Sequence, residues 1–524
     1  MKDQEKEHKE LGQGVNRRQF LKQVGVAGGV LAAGGILGKD LVSKAWAGQP
    51  RRGGTLVFSM PHSPIGFDPA YWETYEDYHV GELCYNTLVF TRPDFKLEPM
   101  LAERWEPSNK GTEWTFYLRQ GVRFHHGREL EAKDVVTSLN HYLEAKGPAA
   151  SEMSPAERFE IVDKYTVKAF LKTGYGEFPY NVGKPQTGIR PYDTPIDEWK
   201  TTVVGTGPFK FKKFVPGEYF LVERFDDYFD KENVFLDQIK AVVIPDLATT
   251  MNALISGEID LMWECAPEQF FVLKKRKGIA AHQVPSMGYQ NLIMETTVKP
   301  FDDNRVRQAI KACLDREQFV EAVVQGLGKP ANDQPIPSFN PFYADLPLKK
   351  QNHALAKKLL AEAGYPDGLN LTVHTSEVRV GMVPSALTLK DQCAPAGINI
   401  EVKVEPSDGY WKQVWRKVPF HYSNWSGRPT VYSGLYNYFH STGKWNTAKY
   451  ANAFLDSCLD EGVGETDEKR AMQLYTAAQA IIADEGGFVI PYLRDYLLAH
   501  SEKVNGYLLY PTRWMYWVGV WKTA

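Results

Sequence analysis

From Gly53 to the end of the chain, short runs of β-branched and aromatic residues alternate with amphipathic helical stretches, uninterrupted by low-complexity linkers or an internal repeat. Such a chain buries its strands against helices, so the expected fold class is α/β, with mixed sheets at the domain cores. Thr55–Phe58 follows a Gly-Gly turn and reads as a strand, as do Trp114–Leu118, Val167–Leu171, Lys210–Phe214 and Ile239–Ile244. The turn-bounded run Gly121–Gly127 is expected to be another. Val135, Val136, Leu139 and Tyr142 lie at helical spacing within Ala132–Leu143, and Ala248–Ser256 is a helix stopped by Gly257. Near Tyr289 the texture changes. Gln290–Met294 is short and extended, and Asp302–Gln325 reads as one long helical stretch ended by Gly326. His353–Ala363 and Lys469–Asp484 are further helices, with Leu369–His374 and Ile398–Val404 as strands. A length of 524 residues sets the expectation at two or three domains.

The first 47 residues read as an address. Asn16-Arg17-Arg18-Gln19-Phe20-Leu21-Lys22 resembles the twin-arginine export motif, and Val24–Leu37 is a mildly apolar run too short for a membrane span. Ala45-Trp46-Ala47 offers a small-x-small cleavage pattern, so residues 1–47 are expected to be a signal peptide and Gly48 the mature start. With no Cys before Cys84, a lipid anchor is not expected. Removing eight of the 61 Lys/Arg and five of the 64 Asp/Glu takes the net charge from -3 to -6, which points to neither nucleic acid nor an anionic membrane. Cys84, Cys265, Cys313, Cys393 and Cys458 are scattered, without a C-x-x-C pair, and read as mostly buried thiols with one disulfide left open. Aromatics at 13% suit a ligand cleft as well as a core.

Several segments, in order, resemble the family 5 extracellular solute-binding proteins of oligopeptide, dipeptide and nickel importers. Leu101-Ala102-Glu103-Arg104-Trp105-Glu106 leads to Thr115-Phe116-Tyr117-Leu118-Arg119-Gln120-Gly121-Val122-Arg123-Phe124-His125-His126-Gly127 and then Ala132-Lys133-Asp134-Val135-Val136. Gly205-Thr206-Gly207-Pro208-Phe209, Gly257-Glu258-Ile259-Asp260, Pro300–Ile310 and Leu359–Tyr365 follow. The resemblance covers nearly all of the sequence after the address. It implies a two-lobed periplasmic solute-binding fold, with residues 53–287 and the C-terminal return 491–524 in lobe I. Lobe II would be residues 288–490, with hinges near Tyr289 and Pro491 and a ligand cleft between the lobes.

The implied function is a monomeric periplasmic receptor that binds a peptide or related small solute and delivers it to the permease subunits of an ABC importer. Export would use the twin-arginine machinery. A nickel or metal-chelate receptor, with His421 or His440 as the residues to test, and a ligand-presenting sensor are the alternatives. Neither catalysis nor a cofactor is expected, because the sequence contains no G-x-S-x-G, H-E-x-x-H or Walker A pattern. Gly326–Ala331 follows a helix and reads as a loop, and His125-His126 and Glu258/Asp260 read as structural.

Peptide receptors of the family carry an Asp shortly after the Trp corresponding to Trp425. In this chain no acid occurs between Trp425 and Ser441, and Arg428 stands in that neighbourhood. An arginine facing a partly dry cleft suits a carboxylate or phosphate. The expected ligand contacts are therefore Trp425, Ser426, Gly427, Arg428 and Tyr432, with Asp408 or Asp495 as alternative holders of an amine. Tyr71, Trp72, Trp263, Glu264, Tyr289 and Asn291 complete the expected lining from their places in family-like segments.

Overall fold

The structure is a computed structural model and describes residues 50–72, 74–379, 381–406, 410–425, 430–443 and 445–523. Its spine is one twisted mixed sheet. The strand order along it runs Ile398–Val404, Leu369–Thr375, Phe420–Trp425, Ile279–Met294, Tyr492–Ser501, Leu261–Met262, Thr55–Met60, Gln238–Val243, Tyr219–Arg224, Phe209–Val215. Thr55–Met60 alternates so that Leu56 and Phe58 point into a core, and it pairs in parallel with Gln238–Val243 and, through Phe58, with Leu261. A separate antiparallel sheet of Ala102–Ser108, Glu113–Leu118, Thr166–Leu171 and Ala156–Asp163 packs on the helix Ala132–Glu144.

Two hydrophobic cores flank the middle of the spine. One gathers Leu56, Phe58, Phe220, Leu261, Val284, Tyr496, Leu498 and Trp517. The other is drawn wholly from the stretch between Leu292 and Tyr492, with Val306, Phe319, Leu389 and Tyr422 at its centre. The chain therefore passes from the first core to the second between Val284 and Leu292, and returns between Tyr492 and Tyr496. The returning tail is fastened by Lys522, whose ammonium pairs with Asp260 at 2.7 Å, while the same carboxylate accepts the Val57 N–H at 2.9 Å.

Two local expectations are corrected. Gly121–Gly127 is not a strand: Gly121 and Gly127 take left-handed φ of 75° and 100°, the Gly127 N–H bonds back to Phe124, and a single bridge joins Arg123 to Glu129. Asp302–Gln325 is two helices, Asn304–Ala312 and Arg316–Val324. Asp315 accepts the N–H of Gln318 and so caps a new helix, although the apolar spacing runs on through Leu314. All five cysteines are buried and free. His125 sits in the core with its ring nitrogen 3.1 Å from the Gly207 carbonyl, and burial pushes it down to about 4.

The Gly205-Thr206-Gly207-Pro208 block has a steric reason. A Cβ on Gly205 would lie 2.1 Å from the Cys84 carbonyl oxygen, and one on Gly207 would lie 2.4 Å from the same carbonyl carbon. Those neighbours are backbone at the end of a capped helix and cannot swing away. Gly205→Ala is therefore expected to cost about 3 kcal/mol, read as a lower urea midpoint with unchanged slope.

Candidate ligand-binding site at the strand crossing

The two crossings run side by side. Ile279–Met294 and Tyr492–Ser501 pair regularly from Ile279↔Ser501 to Pro285↔Asp495, lose register, and meet again at Tyr289↔Leu493. Within the gap the Ser286 hydroxyl donates to the Arg494 carbonyl at 2.6 Å and accepts the Gly288 N–H at 3.1 Å. The Arg494 side chain lies over Gly288, where an added Cβ would sit 3.1 Å from its Nε. Trp263 and Glu264 leave the carboxyl end of Leu261–Met262, which runs parallel to Thr55–Met60. That is the edge at which open α/β sheets take ligands.

Arg513 reaches the same place from the C-terminal tail. Its guanidinium pairs with Glu264 at 2.7 Å and stands 4.7, 5.6 and 5.9 Å from the ring centres of Tyr496, Tyr75 and Trp263. Burial works against the Arg513 charge, but Glu264, Tyr496 and Tyr75 outweigh it and hold the group above its ordinary value. Arg494 is pushed below its ordinary value, first by burial and then by the like charge of Arg513.

Of the residues expected from sequence, Trp263 and Glu264 belong to this cluster. Tyr289 and Asn291 lie just past the register shift and face Trp425 and Ser423 across the neighbouring strand, so all four share one sheet face. Asn291 Oδ1 and Ser423 Oγ are buried there with no hydrogen-bond partner among the described residues. Trp425 packs edge-on to Trp415 and Tyr438. Tyr432 rests on Tyr175. Trp72 is a correction: it is 0% exposed, its indole N–H donates to the Gly66 carbonyl, and its ring fills the space left by Gly81, so it is core. Tyr71 is 37% exposed, with the Lys200 ammonium 5.0 Å from its ring centre. Ser426, Gly427, Arg428 and Asp408 lie outside the described residues, as does the address, residues 1–47. Asp495 accepts a hydrogen bond from Gln283 at 2.6 Å.

Sequence reasoning missed Arg494, Arg513 and Glu177. Arg494 stands three residues past Pro491, and Arg513 is a cation set among Tyr510, Trp514 and Tyr516, both visible signals once the tail is known to return to this sheet edge. Among the described residues no three His, Cys, Asp or Glu side chains converge as a metal would require. His421 is buried, bonded to the Val418 carbonyl and pushed down to about 4 by burial. A pocket of about 70 Å³ opens elsewhere, beside the helix Tyr75–Cys84. Its one acid, Glu82, is pushed well above the usual carboxylate range by burial and accepts the Met515 N–H, so it fastens the tail.

The chain matches the model of bacterial extracellular solute-binding proteins, family 5, over residues 96–446, and belongs to that family. Members are substrate-binding proteins of ABC importers, and this chain is a peptide or small-solute receptor of that kind. It is 27% identical to heme-binding protein A of Haemophilus influenzae, over 87% of this chain and 90% of that one. It is 26% identical to the oligopeptide-binding protein AppA of Bacillus subtilis, over 94% and 96%. Among solved structures, HbpA2 of Haemophilus parasuis superposes with a TM-score of 0.82 at 24% identity, covering 90% of this chain and all of that one. The periplasmic protein DppA of Helicobacter pylori, in complex with the peptide STSA, gives 0.71 at 25%, covering 90% and 99%. The fold is that of the two-lobed periplasmic binding proteins.

Away from the crossing, Glu177 makes a second bridge. Its carboxylate accepts the N–H groups of Val431 at 3.0 Å and Tyr432 at 2.8 Å, at the end of the segment expected to bind ligand. Burial, against the pull of those two N–H groups and of Lys184, pushes this carboxyl up from 4.5 to about 7. The native chain thus holds the proton more tightly than the unfolded chain, so the contribution is full below pH 4.5 and is lost as pH rises through about 7. Urea melts across that window are expected to show the wild type losing about 3 kcal/mol more than Glu177→Gln.

Proposed function

We propose that the chain is a periplasmic receptor that closes two lobes over a peptide or related small solute carrying an anionic group and presents it to the permease subunits of an ABC importer. It acts as a monomer, without covalent chemistry, after export by the twin-arginine route. Lobe I comprises residues 53–287 and 491–524, lobe II residues 288–490, and the hinges lie near Tyr289 and Pro491. The observation that carries this reading is the double crossing: the second core is one uninterrupted stretch of chain, joined to the first by two adjacent strands that lose register between Pro285 and Tyr289, with the short strand Gly328–Pro330 laid along the returning one. A body attached in this way can rotate about the strand pair while both cores stay intact.

The lining supports a solute with its own hydrogen-bond donors. Asn291 Oδ1 and Ser423 Oγ are acceptors at depth, and a buried acceptor left without a donor costs free energy that a bound N–H would recover. Relatives named for binding heme, oligopeptides and glutathione show how widely the ligand varies on this scaffold. Specificity must then lie in the side chains at the crossing rather than in the fold.

Native mass spectrometry of gently purified protein, followed by denaturing release, is expected to find one small solute per chain. A chain that is empty, and whose melting temperature no member of a peptide and small-solute panel raises, would overturn the reading.

A further inference from the structure

We infer that Arg494, with Arg513 beside it, forms an oxyanion subsite that takes a carboxylate or phosphate of the bound solute, with Glu264 competing for Arg513 when the site is free. This rests on the receptor reading above and adds to it the chemistry of the group that is gripped.

The argument starts from how this chain treats its other buried cations. Arg190 is fully buried and gives hydrogen bonds to the carbonyls of Phe67, Trp199 and Thr202 and to the Thr202 hydroxyl. Lys311 donates to the carbonyls of Ala483 and Gly486, each at 2.9 Å. Arg307 donates to those of Phe301 and Glu485. Each holds most of its donors on fixed acceptors, chiefly backbone carbonyls, with Arg190 Nε the one left over, which is what a structural cation requires.

Arg494 differs. Among the described residues its guanidinium has no hydrogen-bond or ion-pair partner, although it is partly buried, lies over Gly288 and is within electrostatic reach of Arg513. The groups around it are Arg513, Glu264 and the phenols of Tyr75 and Tyr492. Among the described residues these are two guanidinium charges against one carboxylate, in a place walled by Tyr75, Trp263 and Tyr496. The one nearby acid on the same strand, Asp495, is the next residue and so points to the opposite face, where Gln283 holds it.

The free donors of Arg494 form a planar fork suited to two parallel bonds with a carboxylate or phosphate. Glu264 is 38% exposed and can turn outward, and its release of Arg513 would offer the solute a second fork. Arg494 stands on the crossing strand and Arg513 in the tail, so the subsite belongs to the frame that both lobes share.

The test is a thermal-shift titration of the exported chain with inorganic phosphate and, separately, with succinate, on the wild type, Arg494→Gln and Glu264→Gln. Native mass spectra of the same preparations run beside it. Saturable stabilisation of the wild type by at least one anion is expected, and which one acts assigns a phosphate or a carboxylate. Arg494→Gln should weaken that binding about 10- to 100-fold, and Glu264→Gln should tighten it. The inference is overturned if neither anion stabilises the wild type, or if Arg494→Gln binds as the wild type does. Should Arg494→Gln fail to fold, Glu264→Gln decides, since unchanged or weaker binding there is the contrary result. A captured neutral solute with no response to either anion would remove the subsite and leave the receptor reading standing. No captured solute and no response would remove both.

Discussion

Everything in this molecule hangs on the backbone ladder between Ile279–Met294 and Tyr492–Ser501. These two strands are the central members of the spine, and each carries residues of both cores: Val284 and Tyr496 in one, Leu292 and Tyr492 in the other. The ladder is regular on the side of the first core and broken between Pro285 and Tyr289. Over the break, the Ser286 hydroxyl bonds the Arg494 carbonyl and the Gly288 N–H where the strand-to-strand ladder is interrupted.

Much of the architecture could be read from the sequence because its elements are patterned locally. The helix Ala132–Glu144 and the parallel strands Leu369–Thr375 and Ile398–Val404 declare themselves by period alone. Where reading failed, a capping or turn residue overrode the pattern: Asp315 splits one apolar run into two helices, and Gly121 and Gly127 turn a strand-like run into a loop. Gly205 and Gly207 were recognisable as a motif, but their reason, contact with the Cys84 carbonyl, involves residues more than a hundred positions away.

The site was harder to read for the same physical cause. Trp72 and Trp263 look alike in sequence and are buried in the same core, yet Trp72 is sealed against Gly81 while Trp263 also stands beside the Arg513–Glu264 ion pair. Burial of a tryptophan is set by what packs over it, and that is a tertiary fact. Arg494 and Arg513 come from segments separated from Trp263 by more than two hundred residues, and only the return of the tail brings them together. The segment chosen from sequence, 425–432, was identified by a missing acid. The cations the structure brings together stand at the other end of the Tyr289 strand crossing.

Position relative to the crossing also decides what each contact can accomplish. A ligand group held at the strand pair sits near the axis about which one body would turn, so its contacts change little between open and closed arrangements. Such contacts select which solute binds but shift the conformational equilibrium weakly, because only a difference in affinity between two states moves their populations. Contacts far from the axis have the opposite character. The Glu177 carboxylate joins the N–H groups of Val431 and Tyr432 away from the strand pair, so in the proposed hinge motion bonds made there would count toward closure. Glu177 is buried at a cost, visible in the upward push on its carboxyl, and that cost opposes the two bonds it makes. In the receptor reading proposed above, that cost would weaken closure of the free protein and leave the remaining free energy to a bound solute.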